Sequence, residues 1–284
     1  MIKIIILGAT GLIGHQVYLR LKAREDLEIF TIAHKRKIDK ETILIDARCE
    51  NLLRKKIEEI NPNVIINCMG ILIAEANSDP AHAIFFNAYI PHYLKNVADS
   101  LGAKLIHIST DCVFSGNKGG YIEADLKDAD DIYGRSKGLG EITGRHHLTL
   151  RTSVVGPELK EGEELFHWFM RQQGSIKGFT KSLWSGVTTV ELAKAVEWAI
   201  DNDIQGLYHV TNGISINKYE LLMLFKKMTN KNIEIKAVDG RVTNKTLCDT
   251  RQELDEPVPS YEDMIHEMVS FIKAHPELYV TYSL

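Results

Sequence analysis

Two residues of the chain, Tyr133 and Lys137, are spaced for proton transfer. On a helix their side chains lie on one face about one turn apart. A lysine ammonium beside a phenol favours the ionised phenol and therefore lowers its pKa. Upstream, an apolar segment ends in Ser109-Thr110-Asp111, where a hydroxyl could hold a carbonyl oxygen. The pattern predicts reduction of a carbonyl group, with Thr110, Tyr133 and Lys137 as catalytic residues.

A second pair, Tyr18 and Lys22, has the same spacing on the first predicted helix. The N-terminal end of this helix is the end that would face a phosphate. The pair lies beyond that end, so we interpret it as structural. Tyr133 and Lys137 instead follow a strand that ends in Ser/Thr at its carboxyl end, which is where open α/β sheets bind ligands.

A glycine-rich turn near the start of the chain predicts a dinucleotide site. It follows the apolar segment 2–7 and precedes an apolar-periodic helix. Glycines at this spacing allow a tight turn, bring backbone N–H groups against a pyrophosphate and let the helix pack close to the strand. The helix N-terminus stabilises the negative charge of the phosphates. The predicted cofactor-binding residues of this turn are Gly8, Thr10, Gly11, Leu12, Ile13 and Gly14.

The segment after the second predicted strand is basic. An acidic residue about 20 positions beyond the last glycine usually binds the ribose 2′-hydroxyl of NAD, but here the chain reads His34-Lys35-Arg36-Lys37. Cations suit a 2′-phosphate, so we predict NADPH, with NADH as the alternative; a solvated basic turn would show the same residues. The other predicted cofactor-binding residues are Asp46, Ala47, Cys68, Met69, Gly70 and Ser109, together with Tyr133 and Lys137.

Strand-like apolar segments alternate with segments of helical period. The predicted strands are 2–7, 28–33, 43–45, 64–68, 104–108 and 148–152, and the predicted helices are 12–22, 51–60, 81–101, 190–200, 217–228 and 260–274. The alternation predicts an α/β fold, a Rossmann-type doubly wound parallel sheet with a smaller mixed α/β C-terminal substrate lobe. We assign residues 1–154 to an NAD(P)-binding domain, to which a segment near 183–203 returns, and residues 155–284 to the substrate-binding lobe.

The composition of the chain argues against several classes of function. The 284 residues carry a formal net charge of -4, which gives no reason to expect nucleic acid or an anionic membrane as a partner. Four scattered cysteines, without metal-ligand spacing, indicate reduced thiols in a cytoplasmic protein and no metal site. No segment is long and apolar enough to predict a transmembrane helix.

The glycine turn, Thr110 and the Tyr133-x-x-x-Lys137 pair together resemble the extended short-chain dehydrogenase/reductase family. The run 109–116, Ser-Thr-Asp-Cys-Val-Phe-Ser-Gly, is similar to its dTDP-4-dehydrorhamnose reductase branch, and the resemblance covers nearly the full chain. It implies NADPH-dependent reduction of the 4-keto group of a nucleotide-linked 6-deoxysugar, in the synthesis of surface polysaccharide precursors. Tyr133 would give a proton to the C4 oxygen, Lys137 would bind the nicotinamide ribose, and Thr110 would bond the substrate oxygen.

The substrate contacts are predicted more loosely. Asn87 would support the site from its helix, Asp111 and Arg151 would meet the substrate, and Trp184 could stack on a base or sugar. Lys177 and Lys181 are further candidates for the diphosphate. The partner is a nucleotide-diphosphate sugar, and a homodimer stays open.

The sequence departs from the branch at two places, and two alternative functions stay open. Cys112 stands where these reductases usually have tyrosine, and the segment before Tyr133 lacks their prolines. A 4-epimerase of the same family needs only the cofactor and Tyr133. The regulatory subunit of methionine adenosyltransferase resembles this branch without catalysing a redox reaction, but the complete catalytic set favours an enzyme. Dehydration is disfavoured because Asp111-Cys112 stands in place of the Asp-Glu pair of dehydratases.

Overall fold

The computed structural model describes residues 1–144, 146–160, 162–282 and 284. Its strands are β1 (Ile2–Leu7), β2 (Leu27–Ala33), β3 (Ile43–Leu44), β4 (Val64–Asn67), β5 (Lys104–Thr110), β6 (Leu148–Thr152), β7 (Val154–Val155), β8 (Ser175–Phe179), β9 (Ser182–Trp184), β10 (Val187–Thr188), β11 (Gly206–His209), β12 (Ile216–Asn217), β13 (Glu234–Val238) and β14 (Thr243–Asn244). Its α-helices are α1 (Gly14–Leu21), α2 (Glu50–Ile60), α3 (Ile73–Ser78), α4 (Pro80–Ile84), α5 (Ile90–Leu101), α6 (Ile132–Leu139), α7 (Leu165–Arg171), α8 (Thr189–Asp201), α9 (Lys218–Thr229) and α10 (Tyr261–Ala274).

The centre of the structure is a seven-stranded parallel sheet in the order β11-β6-β5-β4-β1-β2-β3. The strand order reverses at β1, which lies between β2 and β4. Sheets of this kind bind ligands outside the carboxyl ends of their strands at such a reversal. The glycine turn after β1 and Thr110 at the end of β5 therefore lie on the ligand-binding edge.

Both faces of the sheet are covered, which explains the continuous apolar character of β1. Ile4 and Ile6 pack into one core with α1, α8 and α10, whereas Ile5 and Leu7 pack into a second core with α2 and α5. Side chains alternate between the faces of a strand, so a strand buried on both sides must be apolar throughout. The predicted α/β fold is confirmed.

The predicted elements agree with these bounds to within two residues, except for the helix at 81–101. One strand of the seven-stranded sheet was missed, and the short strands outside that sheet had no predicted bounds. Gly206–His209 pairs in parallel with β6 and extends the sheet, although its residues had been assigned to the substrate lobe. Four residues are too few to show a period, and the helix before them, α8, packs against α1 and brings the chain back to the sheet.

The helix predicted at 81–101 is interrupted by a π turn at Phe85–Tyr89. Pro91, near the start of α5, has no N–H group to give to the carbonyl of Asn87, four residues earlier. That carbonyl faces Gly140 so closely that a Cβ at Gly140 would overlap it. The π turn thus brings the backbone of Asn87 against the segment that follows α6, and π turns of this kind are frequent at functional sites.

The remaining elements form smaller sheets: β8 with β13, β9 with β12 and β14, and β7 with β10. Helices α9 and α10 pack on each other and adjoin these strands. In the part of the chain that the structure describes, no helix is long and apolar enough to cross a membrane.

A buried ion pair joins the end of α6 to the sheet. Arg151 on β6 is 1% exposed and contacts Glu141 through Nε at 2.8 Å and Nη2 at 2.7 Å. Its Nη1 lies 2.8 Å from Nε2 of His209 on β11, and its guanidinium lies 4.8 Å from the centre of the Phe114 ring. Arg151 was predicted to bind substrate, and this is wrong, because its side chain is enclosed and its donors are engaged by the protein.

Replacing Arg151 with alanine should lower the free energy of unfolding by about 3–5 kcal/mol, because the buried Glu141 would lose its two-point partner and keep only Lys127, at 3.3 Å, as a cation. Urea unfolding followed by circular dichroism measures this change. Arg54→Ala is the matched control, since it breaks the exposed pair between Arg54 and Glu58 and should leave the unfolding free energy almost unchanged. Equal stability of the two variants would contradict a structural role for the buried pair.

Candidate active site

The glycine turn is shaped to accept a phosphate group. Gly8 adopts a φ of +78°, in the left-handed region that favours glycine, and a Cβ there would lie 3.1 Å from the carbonyl carbon of Cys68. A Cβ at Gly14 would overlap the carbonyl oxygen of Gly8. The first residues of α1 therefore lie directly against the end of β1. Only glycine permits this close packing, and the turn fits the pyrophosphate of a dinucleotide.

The chain after β4 connects this turn to the predicted catalytic lysine. Cys68 adjoins Gly8, and a Cβ at Gly70 would lie 4.0 Å from Nζ of Lys137. The N–H of Met69, between them, donates to the Asn67 side chain at 3.1 Å. The residues predicted to contact a cofactor after β4 therefore form a continuous path from the glycine turn to Lys137.

Basic residues lie at the end of β2, as the sequence indicated. Lys35 and Arg36 are exposed, whereas Nε2 of His34 lies 3.3 Å from Oδ2 of Asp46. Asp46 also binds Arg48 at 2.5 Å, and the hydrogen bond from Arg48 lowers the pKa of Asp46 to about 2. Arg48 adds a cation to this region that the sequence analysis did not consider. Ala47, between Asp46 and Arg48, is buried.

Thr110 and Tyr133 meet at the end of β5. The Thr110 side chain is close enough to Tyr133 to lower the pKa of its phenol. The Thr110 hydroxyl donates to Oδ1 of Asp111 at 3.2 Å, and its Oγ1 accepts a bond from the Cys112 N–H at 3.1 Å. The helix that carries Tyr133 begins at Asp131, whose carboxylate accepts a bond from the Gly134 N–H at 2.8 Å. A Cβ at Gly134 would overlap the Cys112 carbonyl, so glycine allows α6 to approach the turn after β5.

The expected effect of Lys137 on Tyr133 is wrong for the protein alone. Burial raises the pKa of Tyr133, and the nearby Thr110 side chain offsets only part of the increase. Nζ of Lys137 donates to the Ile108 carbonyl at 2.7 Å, and burial lowers the pKa of Lys137 to about 8. Removal from water disfavours both charged forms, so Tyr133 stays a neutral phenol that can donate a proton.

Asn87 is a positioning residue rather than a substrate contact. It is fully buried, and its Oδ1 accepts a bond from the Ile71 N–H at 2.8 Å. Its Nδ2 donates to the Ile71 carbonyl at 3.0 Å and to Oγ of Ser136 at 3.2 Å. The prediction that Asn87 contacts substrate is wrong, because these bonds use the side chain to connect the segment after β4 with α6.

The Ser109 side chain is likewise engaged within the protein. Its Oγ donates to Oε1 of Glu141 at 2.7 Å, and the residue is 4% exposed. The hydroxyl therefore belongs to the network of the buried ion pair and does not face a cofactor. The structural interpretation of Tyr18 also agrees with its contacts: it is buried, its hydroxyl donates to Asp39, and Nζ of Lys22 lies 5.2 Å from its ring centre.

A cavity of about 540 Å³ opens beside the catalytic residues. Asp111 and Cys112 line it from the turn after β5, and Trp184 lines it from β9. Trp184 is 3% exposed, and its Nε1 has no hydrogen-bond partner among the described residues. Trp184 thus borders the cavity with most of its side chain enclosed, and its contact with a base or sugar stays a prediction.

Three cations in this cavity were missed by the sequence analysis: Lys218, Arg241 and Lys245. Lys218 is the first residue of α9, with Nζ 5.1 Å from the ring centre of Trp184. A cation at a helix N-terminus is disfavoured by the helix dipole. This unfavourable position could have identified Lys218 as a functional candidate from the sequence. The predicted contacts Lys177 and Lys181 do not line the cavity; Nζ of Lys181 pairs with Asp239 at 2.6 Å.

The cations face a buried carboxyl group. Burial raises the pKa of Asp111, whereas the charges of Lys245 and Lys218 lower it. Burial also lowers the pKa of Lys218, and the Asp111 charge opposes that change. Asp111 thus lines the cavity together with these cations and accepts a bond from the Thr110 hydroxyl at 3.2 Å, and its contact with substrate stays a prediction.

This sheet, its glycine turn and the Tyr133 helix together define an extended short-chain dehydrogenase/reductase. The chain belongs to the family described as the RmlD substrate binding domain, which matches residues 2–247. The dTDP-4-dehydrorhamnose reductase of Bacillus anthracis, solved in complex with NADP, has a TM-score of 0.82 and 25% identity, and the match covers 96% of this chain and 99% of that one.

Two further relatives have different recorded roles. The spore coat polysaccharide biosynthesis protein SpsK of Bacillus subtilis is 25% identical over 95% of this chain and 91% of its own length. The methionine adenosyltransferase 2 subunit beta of Xenopus tropicalis is 27% identical over 77% of this chain and 70% of its own length. The family therefore includes proteins named as enzymes and proteins named as subunits.

The ammonium of Lys137 should lose its proton near pH 8, because its burial favours the neutral amine. Lysine side chains labelled with ¹³C at Cε report this titration by NMR in the full chain, and Lys137→Arg identifies the resonance by removing it. A Lys137 resonance that titrates at the ordinary lysine pKa, near 10.4, would show that the side chain is solvated instead.

Proposed function

We propose that this protein is an NADPH-dependent reductase of the 4-keto group of a nucleotide-linked 6-deoxysugar. The observation that carries the proposal is the continuous path from the glycine turn through Gly70 to Lys137, with Thr110 and Tyr133 at its end and the cationic cavity beyond. Membership of a family whose relatives include a dTDP-4-dehydrorhamnose reductase supports it.

The chain's own residues supply the proton and hold the reacting groups. Bound NADPH supplies the hydride that reduces the C4 carbonyl. Thr110 holds the carbonyl oxygen, and Tyr133, kept protonated by its burial, donates a proton to that oxygen as negative charge develops on it. Lys137 binds the ribose next to the nicotinamide, close to Gly70. The remaining task of the protein is to align the two reactants.

The cationic wall suits the diphosphate of the substrate. Lys218, Arg241 and Lys245 offer positive charge on the side of the cavity formed by the C-terminal part of the chain. Trp184 borders the same cavity and supports a contact with the base or sugar. The name of the relative SpsK supports a place in polysaccharide biosynthesis. We further propose a cytoplasmic location, which the four free cysteines support; the homodimer remains a prediction.

A noncatalytic subunit is the second candidate, because methionine adenosyltransferase subunits match most of the chain. Such a protein needs a cofactor site but no proton donor. The proximity of Thr110 to Tyr133 and the nearby cavity favour the reductase. A 4-epimerase would use the same residues without net oxidation of NADPH, so cofactor consumption separates it from the reductase.

Tyr133→Phe should lower turnover by about a hundred- to ten-thousandfold, because it removes the proton donor and little else. The assay is loss of NADPH absorbance with 4-keto-6-deoxy sugars linked to dTDP or UDP. Tyr18→Phe is the matched control: it removes the hydroxyl of the pair with the same spacing and should leave turnover unchanged. NADPH binding without oxidation on any of these sugars would favour the subunit. Inversion at C4 of a nucleotide sugar that carries a 4-hydroxyl group, without net oxidation of NADPH, would favour the epimerase.

Arg36→Ala should raise the KM for NADPH about tenfold and leave that for NADH unchanged, because only NADPH carries the 2′-phosphate that a guanidinium binds. The comparison uses initial rates with each cofactor at a fixed sugar concentration. Lys40→Ala is the control, since Lys40 is an exposed cation later in the same loop. An unchanged KM for NADPH would mean that the basic turn is merely solvated.

A further inference from the structure

The chain after α10 places two tyrosine hydroxyls in the interior, against different parts of the structure. Tyr279 is 1% exposed and Tyr282 is 8% exposed. The Tyr282 hydroxyl accepts a bond from the Glu158 N–H at 2.8 Å and lies 2.8 Å from Nδ1 of His167 on α7. The Tyr279 hydroxyl instead contacts α1, the helix that follows the glycine turn.

On α1, Tyr279 contacts two polar side chains. Nε2 of Gln16 donates to the Tyr279 hydroxyl at 2.5 Å, and Nε2 of His15 lies 2.9 Å from the same oxygen. Nε2 of Gln16 also lies 3.1 Å from Nε2 of His15. His15 is fully buried and Gln16 is 2% exposed, so neither can exchange these contacts for water. Removing one partner of a buried hydrogen bond destabilises the folded protein, because the remaining polar group is left unsatisfied.

The geometry fixes the tautomer of His15. Its Nδ1 lies 2.8 Å from the Gly11 carbonyl, which can only accept, so Nδ1 carries the proton. Burial lowers the pKa of His15 to about 4, so the ring is neutral and Nε2 accepts the Tyr279 hydroxyl proton. Gln16 therefore donates to Tyr279, the Tyr279 hydroxyl and the Gln16 amide both face the lone pair of His15 Nε2, and His15 donates to Gly11.

Gly11 is the point at which this chain of bonds reaches the predicted cofactor site. Its carbonyl also accepts the His15 backbone N–H at 3.2 Å, and its own N–H donates to the Gly8 carbonyl at 2.9 Å. The Gly11 carbonyl and the Leu12 N–H belong to one peptide plane, so the bond from His15 to this carbonyl fixes where the Leu12 N–H of the turn points. The other tautomer of His15 would set a lone pair against the Gly11 carbonyl and repel it.

We propose that Tyr279 is a positioning residue for the cofactor, which holds His15 in the tautomer that orients the Gly11 peptide of the glycine turn. This proposal rests on the proposed function, because it requires that the glycine turn binds NADPH. Tyr279 does not touch the cofactor; it acts through His15. The segment after α10 thereby contributes to a site formed near the start of the chain.

Tyr279→Phe tests the proposal, because it removes one hydroxyl and keeps the ring. The Kd for NADPH, measured by direct fluorescence titration of the full chain, should rise about five- to thirtyfold, as expected for a lost buried hydrogen bond. The KM for the nucleotide sugar and kcat at saturating NADPH should stay unchanged. Tyr282→Phe is the matched control: it removes a buried phenol hydroxyl from the same segment, and its NADPH affinity should equal that of the unaltered protein.

A second measurement needs no cofactor. The ¹⁵N chemical shifts of the His15 ring should report a proton on Nδ1 in the unaltered protein and in Tyr282→Phe, and a mixture of tautomers in Tyr279→Phe. If the Tyr279 variant binds NADPH as tightly as the unaltered protein, because Gln16 alone keeps the His15 ring in place, or if both variants bind it equally weakly, this proposal alone is overturned. If the unaltered protein does not bind NADPH, both the proposed function and the role proposed for Tyr279 fail.

Discussion

The buried pair of Glu141 and Arg151 is the interaction on which the site depends. Glu141 follows the helix that carries Tyr133 and Lys137, whereas Arg151 lies on a central strand of the sheet. Burying two charges costs free energy, and the cost is offset only when their remaining donors and acceptors are bonded. Ser109 and His209 supply those bonds from the strands on either side. One network thus fixes the catalytic helix to three adjacent strands.

Close backbone contact and burial act together at this edge of the sheet. Glycines at positions 8, 14, 134 and 140 let backbone segments approach where a Cβ would not fit. Close approach excludes water, and the resulting burial keeps the Tyr133 phenol protonated while it weakens the hold of Lys137 on its proton. The same packing that shapes the cofactor turn therefore sets the protonation states that the proposed chemistry needs.

The sequence predicted those parts of the structure whose signal is local. The apolar strand before Gly8, the spacing of the glycines and the helical spacing of Tyr133 and Lys137 each depend on neighbouring residues. The π turn at Asn87 follows from a proline four residues later together with the position of Gly140, and the second of these facts is visible only in the fold. Arg151 could not be recognised as an internal partner because Glu141 and His209 meet it only after the strands pair. Lys218, Arg241 and Lys245 come together from separate short elements, and no period connects them.

Cys112 shows what the surroundings of a side chain do to its reactivity. It lines the cavity next to the catalytic threonine, but burial and the adjacent Asp111 raise the pKa of its thiol to about 12. The thiolate is the species that peroxides and alkylating reagents attack. A cysteine held as the neutral thiol is a small apolar group with a weak donor. The site therefore contains sulfur without the sensitivity to oxidants that a cysteine beside a catalytic centre ordinarily brings.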